Sequence, residues 1–217
     1  MPQCRSMLDA SRFLLYCFLS IFTIVNPVSA AALLVSLTPG ESDLRRREQA
    51  LRAVLFMTTL MVGTYFVGAQ VLQLFSISMP SLALAAGVLV ARSGFRSVAG
   101  ADRLTPAQRE EGIAKSDISL TPLGMPMLAG PGTIAVLIGL STEARGLAAN
   151  LAALVAMLLV SATSYAVLWA APAVVARLGR TGEAALTKLM GLIILCVGIE
   201  FLIRGISEVL RAVNVPA

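Results

Sequence analysis

The chain has 217 residues, 57% of them apolar and 13% charged, with a net charge of +5. Average soluble proteins carry roughly 45–50% apolar and about 25% charged residues, so this is the composition of a membrane protein. The positive charge does not point to nucleic acid, because the Arg residues fall in short loops beside apolar runs, where they set orientation in the membrane.

Taken in order, a short head with Arg5 and Arg12 precedes a first apolar run from Phe13 to Leu37. That run ends at Thr38-Pro39-Gly40, and a charged loop, Glu41 to Glu48, follows with Arg45-Arg46-Arg47. The second run covers about Ala50 to Phe75, and the third about Ser81 to Phe95. The longest polar stretch, Arg96 to Asp117, contains Thr105-Pro106-Ala107, which reads as an N-capped, Pro-initiated short helix. The fourth run is about Ile118 to Leu140. Ser141 to Gly146 is a loop, and the fifth run, Leu147 to Ala176, is interrupted near its end by Pro172. A turn at Arg177 to Gly182 leads to the sixth, Ala184 to Ile203. A bilayer core of about 30 Å takes roughly 20 helical residues, so the length holds about six spans. None of the runs shows the two-residue alternation of a membrane barrel.

The first run resembles a signal peptide, with Val28-Ser29-Ala30 as a cleavage-like pattern. Its length of about 25 residues exceeds an h-region of roughly 7–15, so it is expected to be retained as a span.

Two of the six runs are broken. Asn26-Pro27 lies inside the first, and Gly130-Pro131-Gly132-Thr133 inside the fourth. Pro27 and Pro131 are 104 residues apart, and at the same offset Gly87 matches Gly191, Gly94 matches Gly198, and Tyr65 matches Trp169. This is the pattern of a duplicated three-helix unit, about 13–98 and 118–204, within a single integral membrane domain, 1–217. Three is odd, so the second copy enters the membrane the opposite way round. The expected fold is therefore all-α, with six transmembrane helices in two inverted three-helix repeats and broken first and fourth helices. Loops after the odd-numbered helices carry twelve Lys and Arg residues against five on the other side. That imbalance puts those loops in the cytoplasm and both termini outside.

Matched broken helices mark substrate sites at the middle of a membrane. The candidates for lining such a site are Thr23, Asn26, Pro27 and Ser29 from the first break, and Gly130, Pro131, Gly132 and Thr133 from the second. A Pro removes one backbone donor and frees a carbonyl one turn earlier, and in lipid such groups must be satisfied by neighbours or line a cavity. Each break also has an architectural reading, as a kink or as an unwound stretch that lets backbones pack closely. Glu200 and Arg204 lie four apart on one helical face and read as a structural ion pair near a helix end, not as a proton relay. Asp117 at the start of the fourth helix complements its dipole. The matched glycines read as packing residues and the Arg45-Arg46-Arg47 triplet as a topology anchor.

There is no His, and Cys4, Cys17 and Cys196 show no CxxC spacing, so neither a metal nor a disulfide framework is indicated. No paired intramembrane carboxylates, GxSxG or phosphate-binding loop is present, and an enzyme is not expected. No cofactor is implied.

Several stretches resemble the MarC family of bacterial inner-membrane proteins. Asn26-Pro27-Val28-Ser29 with Ser36-Leu37-Thr38-Pro39-Gly40 is similar to its NP-x-[GS] and SLT elements. Pro122-Leu123-Gly124-Met125-Pro126-Met127-Leu128-Ala129-Gly130-Pro131-Gly132-Thr133-Ile134 resembles its PL-x-x-P-x-L-A-G-P-G motif, and Lys188-Leu189-Met190-Gly191-Leu192-Ile193 its last-helix signature. The resemblance covers nearly the whole chain. It implies six spans, a plasma-membrane location and grouping with the LysE-like exporters. Ser29 and Ala32 stand where many members carry Gly and Pro, which makes the first break milder than is usual in the family.

Two functions are expected from these features. One is a transporter or exporter of a small, unidentified solute, with its site at the paired breaks. The alternative is a non-transporting membrane protein with an assembly or lipid-associated structural role. Membrane lipid is a partner in either case, nucleic acid in neither, and homo-oligomerisation is compatible with both.

Overall fold

The computed structural model describes residues 2–100 and 117–213, all of it helices and their connections. The helix expected at Thr105-Pro106-Ala107 lies outside the described residues. Helix α1, Pro2–Val25, is followed after one residue by α2, Pro27–Leu37. Then come α3, Asp43–Leu74, and α4, Met79–Val98. An irregular segment, Ser119–Leu128, precedes α5, Pro131–Glu143, and the chain ends in α6, Gly146–Val213, which is bent at Gly179 where φ is +63.

Among the described residues, five helices are long and apolar enough to cross a membrane. They are α1 and α2 taken together over Ala10–Leu37, α3, α4, and the two arms of α6, Gly146–Val174 and Ala184–Arg211. The sequence reading expects six with the fourth broken, and the fourth run is the one not among these five. Its helix α5 has 13 residues, or about 20 Å at 1.5 Å each, well short of a bilayer core of about 30 Å. The cause is the close spacing of Pro122, Pro126 and Pro131, which removes three helix donors in one short run.

Three smaller corrections concern boundaries. Glu41 to Glu48 is not a loop, because α3 begins at Asp43 with the Ser42 side chain accepting from the Arg45 amide. The Arg triplet therefore rides on the first turns of α3. Arg46 donates to the Thr38 hydroxyl at 2.8 Å and the Thr38 carbonyl at 2.9 Å, closing the C-terminus of α2 as a basic cap. Arg47 stacks 4.5 Å over the Trp169 ring, and Arg45 pairs with Glu41. The triplet thus has structural contacts in addition to its charge. Finally, α6 continues past Pro172; its break is at Gly179, where only a glycine readily adopts the positive φ.

Two seams hold the bundle. On α3, Ala50, Ala53, Met57, Met61 and Tyr65 are buried at helical spacing, as are Ala153, Ala156, Met157 and Val160 on α6. These helices run antiparallel, joined by Thr58 donating to Ser161 (2.7 Å) and Tyr65 donating to the Asn150 side chain (2.9 Å). The second seam joins α4 to the last arm of α6 through glycines. A Cβ on Gly87 would lie 2.9 Å from the Gly198 carbonyl, and one on Gly94 2.7 Å from the Gly191 carbonyl. Lipid gives helices no hydrophobic drive to associate, so close backbone approach of this kind supplies the packing energy.

Candidate functional site

The first break is built on one residue. Its backbone amide still closes α1, donating to the Phe22 carbonyl at 3.0 Å. Asn26 then takes φ 46 and ψ 67, a left-handed conformation that few residues other than Gly accept but Asn tolerates. Pro27 restarts the chain as the first residue of α2, where its missing donor costs nothing. The Asn26 carboxamide caps the new helix, its oxygen accepting from the Ser29 amide at 3.2 Å and its nitrogen donating to the Ser29 hydroxyl at 2.9 Å. Asn26 and Ser29 are both buried. The pair satisfies itself, which accounts for polar groups surviving at this depth.

The second break is longer. In Ser119–Leu128 the turns are wide, with Leu123 bonded to the Ile118 carbonyl and Ala129 to the Gly124 carbonyl, five residues back in each case. Thr121 and Met125 are extended. A Cβ on Gly124 would lie 2.7 Å from the Ser119 carbonyl and 2.9 Å from the Phe56 ring, so this segment sits tightly on α3. Gly130 then precedes Pro131, the first residue of α5, and offers no side-chain cap. Thr133 instead turns its hydroxyl back to the Leu128 carbonyl, at 3.4 Å. Gly130 precedes Pro131 as Asn26 precedes Pro27, and Thr133 and Ser29 each lie third in from that cap. A Pro-initiated helix start is thus capped by a side chain at Asn26 and uncapped at Gly130.

The two breaks approach each other. Gly132 leaves room for the Val90 side chain, and a Cβ there would also lie 3.4 Å from an Ile24 methyl, two residues before Asn26. Pro27, Gly132 and Thr133 are buried, Gly130 is half-buried and Pro131 is exposed.

Beside this junction is a cleft of about 430 Å³ between α1, α4, α5 and the last arm of α6. Thr23 and Ile24 line it, as do Glu200 and Arg204. Asn26, Pro27, Ser29 and the Gly130 to Thr133 stretch do not. Thr23 spends its hydroxyl on the Leu19 carbonyl at 2.7 Å. Arg204 donates to Glu200 at 3.0 Å and, at 3.5 Å, to the Tyr16 hydroxyl. So the structure brings together two groups of candidates that the sequence kept apart, the break neighbour Thr23 and the Glu200–Arg204 pair.

Glu143 and Glu208, also on the cleft, were not singled out from sequence. Glu143 fell in a stretch taken for a loop, and Glu208 beyond the expected end of the last helix. A signal for Glu208 was present: Glu200, Arg204 and Glu208 repeat every fourth residue, which places them on one helical face.

At the opposite end of the bundle, Arg52 of α3 donates to Asp117 at 2.9 Å and to Glu48 at 2.6 Å. Asp117 also accepts from the Ser119 amide at 2.9 Å. Hydrogen bonds from Ser119 and the Arg52 charge hold the Asp117 carboxyl below its ordinary range. Because the folded value is the lower one, this contact adds stability above the unfolded carboxylate range near about 4 and loses it as pH falls through the folded value. Both partners are about half exposed, which keeps the increment below about 1 kcal/mol. Asp117→Asn is therefore expected to melt slightly below the native chain at pH 7, with the gap closing as acidification passes through the folded value. A gap that persists unchanged in acid would rule out the ion pair as its cause.

Comparison with known proteins follows from this geometry. The model for the MarC family of integral membrane proteins matches residues 11–210. The inner membrane proteins MarC of Escherichia coli strain K12 and of Shigella flexneri are each 29% identical over 218 residues, covering 94% of this chain and 99% of theirs. No solved structure matches the chain.

Proposed function

The chain belongs to the MarC family of integral membrane proteins, and on that premise we propose that it moves a small solute across the bacterial inner membrane through a midplane site at its two helix breaks. That it is a multi-pass inner-membrane protein follows from the family and from its five long apolar helices. The observation that carries the transport reading is the approach of the breaks, a Cβ on Gly132 reaching to 3.4 Å from Ile24. Broken helices facing each other are how membrane carriers present backbone groups to a solute without exposing them to lipid.

An inverted repeat of two three-helix units gives such a site its moving parts. Supporting it, α2 and α5 both begin at a Pro, 104 residues apart. The glycine seam is its own image under that offset: Gly87 meets Gly198, and their counterparts Gly191 and Gly94 meet each other. Tyr65 on Asn150 and Arg47 on Trp169 are near-images in the same way. Contacts that map onto themselves are the mark of a two-fold axis. In this arrangement the broken fourth run stands as the counterpart of the first. The Lys and Arg imbalance orients the Arg52–Asp117 end to the cytoplasm, with the cleft and both termini outside. The reading needs no cofactor and no enzymatic chemistry.

One observation favours the alternative, a non-transporting structural protein: Asn26 and Ser29 satisfy one another and leave little for a solute. The two readings separate on water access. With Cys4, Cys17 and Cys196 replaced, a single cysteine at Thr133 is expected to react with a small water-soluble thiol reagent and to be protected by solute. Metabolite profiles of cells with and without the protein should then differ in the solute, and proteoliposomes should move it. A Thr133 cysteine inert from both sides, with identical profiles, would leave the structural role standing.

A further inference from the structure

We propose that the cleft at the Glu143 and Glu208 end is a binding site for a small organic cation bearing no anionic group. This deepens the transport reading and rests on it only for the assumption that the bound solute travels onward.

The cavity comes first. At about 430 Å³ it falls within the roughly 300–1,000 Å³ typical of small-molecule sites, and it is walled by four separate elements. Its inner wall includes Thr23 and Ile24, and a Cβ on Gly132 would lie 3.4 Å from Ile24, so the cavity ends beside the place where the two breaks approach each other. A solute held there is one side chain from the proposed midplane site.

The lining selects the charge. Arg204 is its one cation, and that guanidinium is already bonded to Glu200 and Tyr16. Glu143 and Glu208 line the same space, and neither has an ion pair among the described residues. Two uncompensated carboxylates on a cleft with low-dielectric walls concentrate cations there. The rings of Tyr16 and Phe201 add faces that attract an ammonium group.

The same lining sorts cations from zwitterions and metals. A carboxylate on the solute would meet one cation, Arg204, against three carboxylates, Glu143, Glu200 and Glu208, so a zwitterion gains nothing over a plain amine. Among the described residues no three acidic, Cys or His side chains converge on a point that holds a metal ion. Carboxylates spread around an apolar cavity suit a ligand with an apolar body and one or two separated ammonium groups.

The test uses the full chain in nanodiscs of zwitterionic lipid, titrated calorimetrically at constant ionic strength. Butylammonium and 1,4-diaminobutane chloride are the cationic probes, butyrate and norvaline their anionic and zwitterionic counterparts. Both cations are expected to bind. Butyrate and norvaline are expected to give no signal at the same concentrations. Combining Glu143→Gln with Glu208→Gln is expected to weaken the cations at least about tenfold, while Glu48→Gln at the other end leaves them unchanged. Silence of the cations, an equal response to norvaline, or unchanged affinity in the double variant would overturn the proposal. Flux that survives in the double variant, with its solute selectivity unaltered, would sink the cation site while leaving transport intact. Cation binding without any flux would do the reverse.

Discussion

Gly198→Ala is expected to destabilise the protein strongly for a single added methyl. The new Cβ would fall on the backbone nitrogen of Ala91, 2.7 Å from its Cα and 2.8 Å from its Cβ. These are main-chain atoms of a facing helix, so no rotamer change relieves the overlap, and α4 must move away from the last arm of α6. Overpacking that shifts backbone costs about 1–3 kcal/mol in soluble cores. Here the seam depends on close approach for most of its dispersion energy, which places the expected loss at the upper end of that range. Gly94→Ala is its counterpart, directed at the backbone nitrogen of Leu195, and should behave alike. Gly87→Ala should be somewhat milder, because two of its three near atoms belong to the movable Leu202 side chain and its one backbone neighbour, the Gly198 carbonyl, is 2.9 Å away. Gly63 is the control: it has nothing within 4 Å, so Gly63→Ala should gain about 0.5–1 kcal/mol from reduced chain entropy. Denaturant unfolding in mixed micelles checks the order. Equal behaviour of Gly198→Ala and Gly63→Ala would mean that the seam is not close-packed.

These glycines also show what the sequence made legible and what it did not. Their pattern is visible in the sequence, because an offset of 104 matches Gly87 to Gly191 and Gly94 to Gly198. That the matched pairs cross, each touching the other's image, depends on helix direction, which no spacing within one chain segment reports. The breaks were legible for a similar reason, since Pro at the start of α2 and of α5 is a local rule. The left-handed turn of Asn26 is local too, but it is a choice among conformations that Asn permits and does not require. Hydropathy misjudged one place. It reads Glu41 to Glu48 as a loop because the residues are charged, although Ser42 and Asp43 already make a good helix start. In 118–140 the prolines make a break legible, but not the wide turns that Ser119–Leu128 forms before it. The cleft was the least legible part. Glu143 and Glu208 are 65 positions apart and meet one cavity only after the bundle has formed.

Asn26 decides between the two functional readings, because its structural and solute-lining roles can be changed separately. Asn26→Leu removes everything at once. A branched residue in the left-handed region costs about 1–2 kcal/mol, the lost cap about 1 kcal/mol, and a buried Ser29 amide without an acceptor about 1–3 kcal/mol. The terms share one turn and will not simply add, so a total of about 3–4 kcal/mol is expected, enough to lower the amount of folded protein sharply. That variant reports on the fold alone. Asn26→Gly keeps the backbone turn and deletes only the carboxamide, for an expected loss of about 1–2 kcal/mol. Its folded fraction can be purified and assayed for flux of the solute found by profiling. If the carboxamide faces the solute, flux per folded molecule should fall at least about tenfold, the equivalent of one lost hydrogen bond of about 1.4 kcal/mol. If Asn26 is only the cap that its bonds to Ser29 describe, flux per folded molecule should equal that of the native chain. The second half supplies the contrast, since Gly130 already begins α5 with no side-chain cap at all. A helix start that manages without a carboxamide there implies that the one at Asn26 is there for the buried Ser29 hydroxyl, for the solute, or for both. Loss of flux in Asn26→Gly with stability close to native would single out the solute.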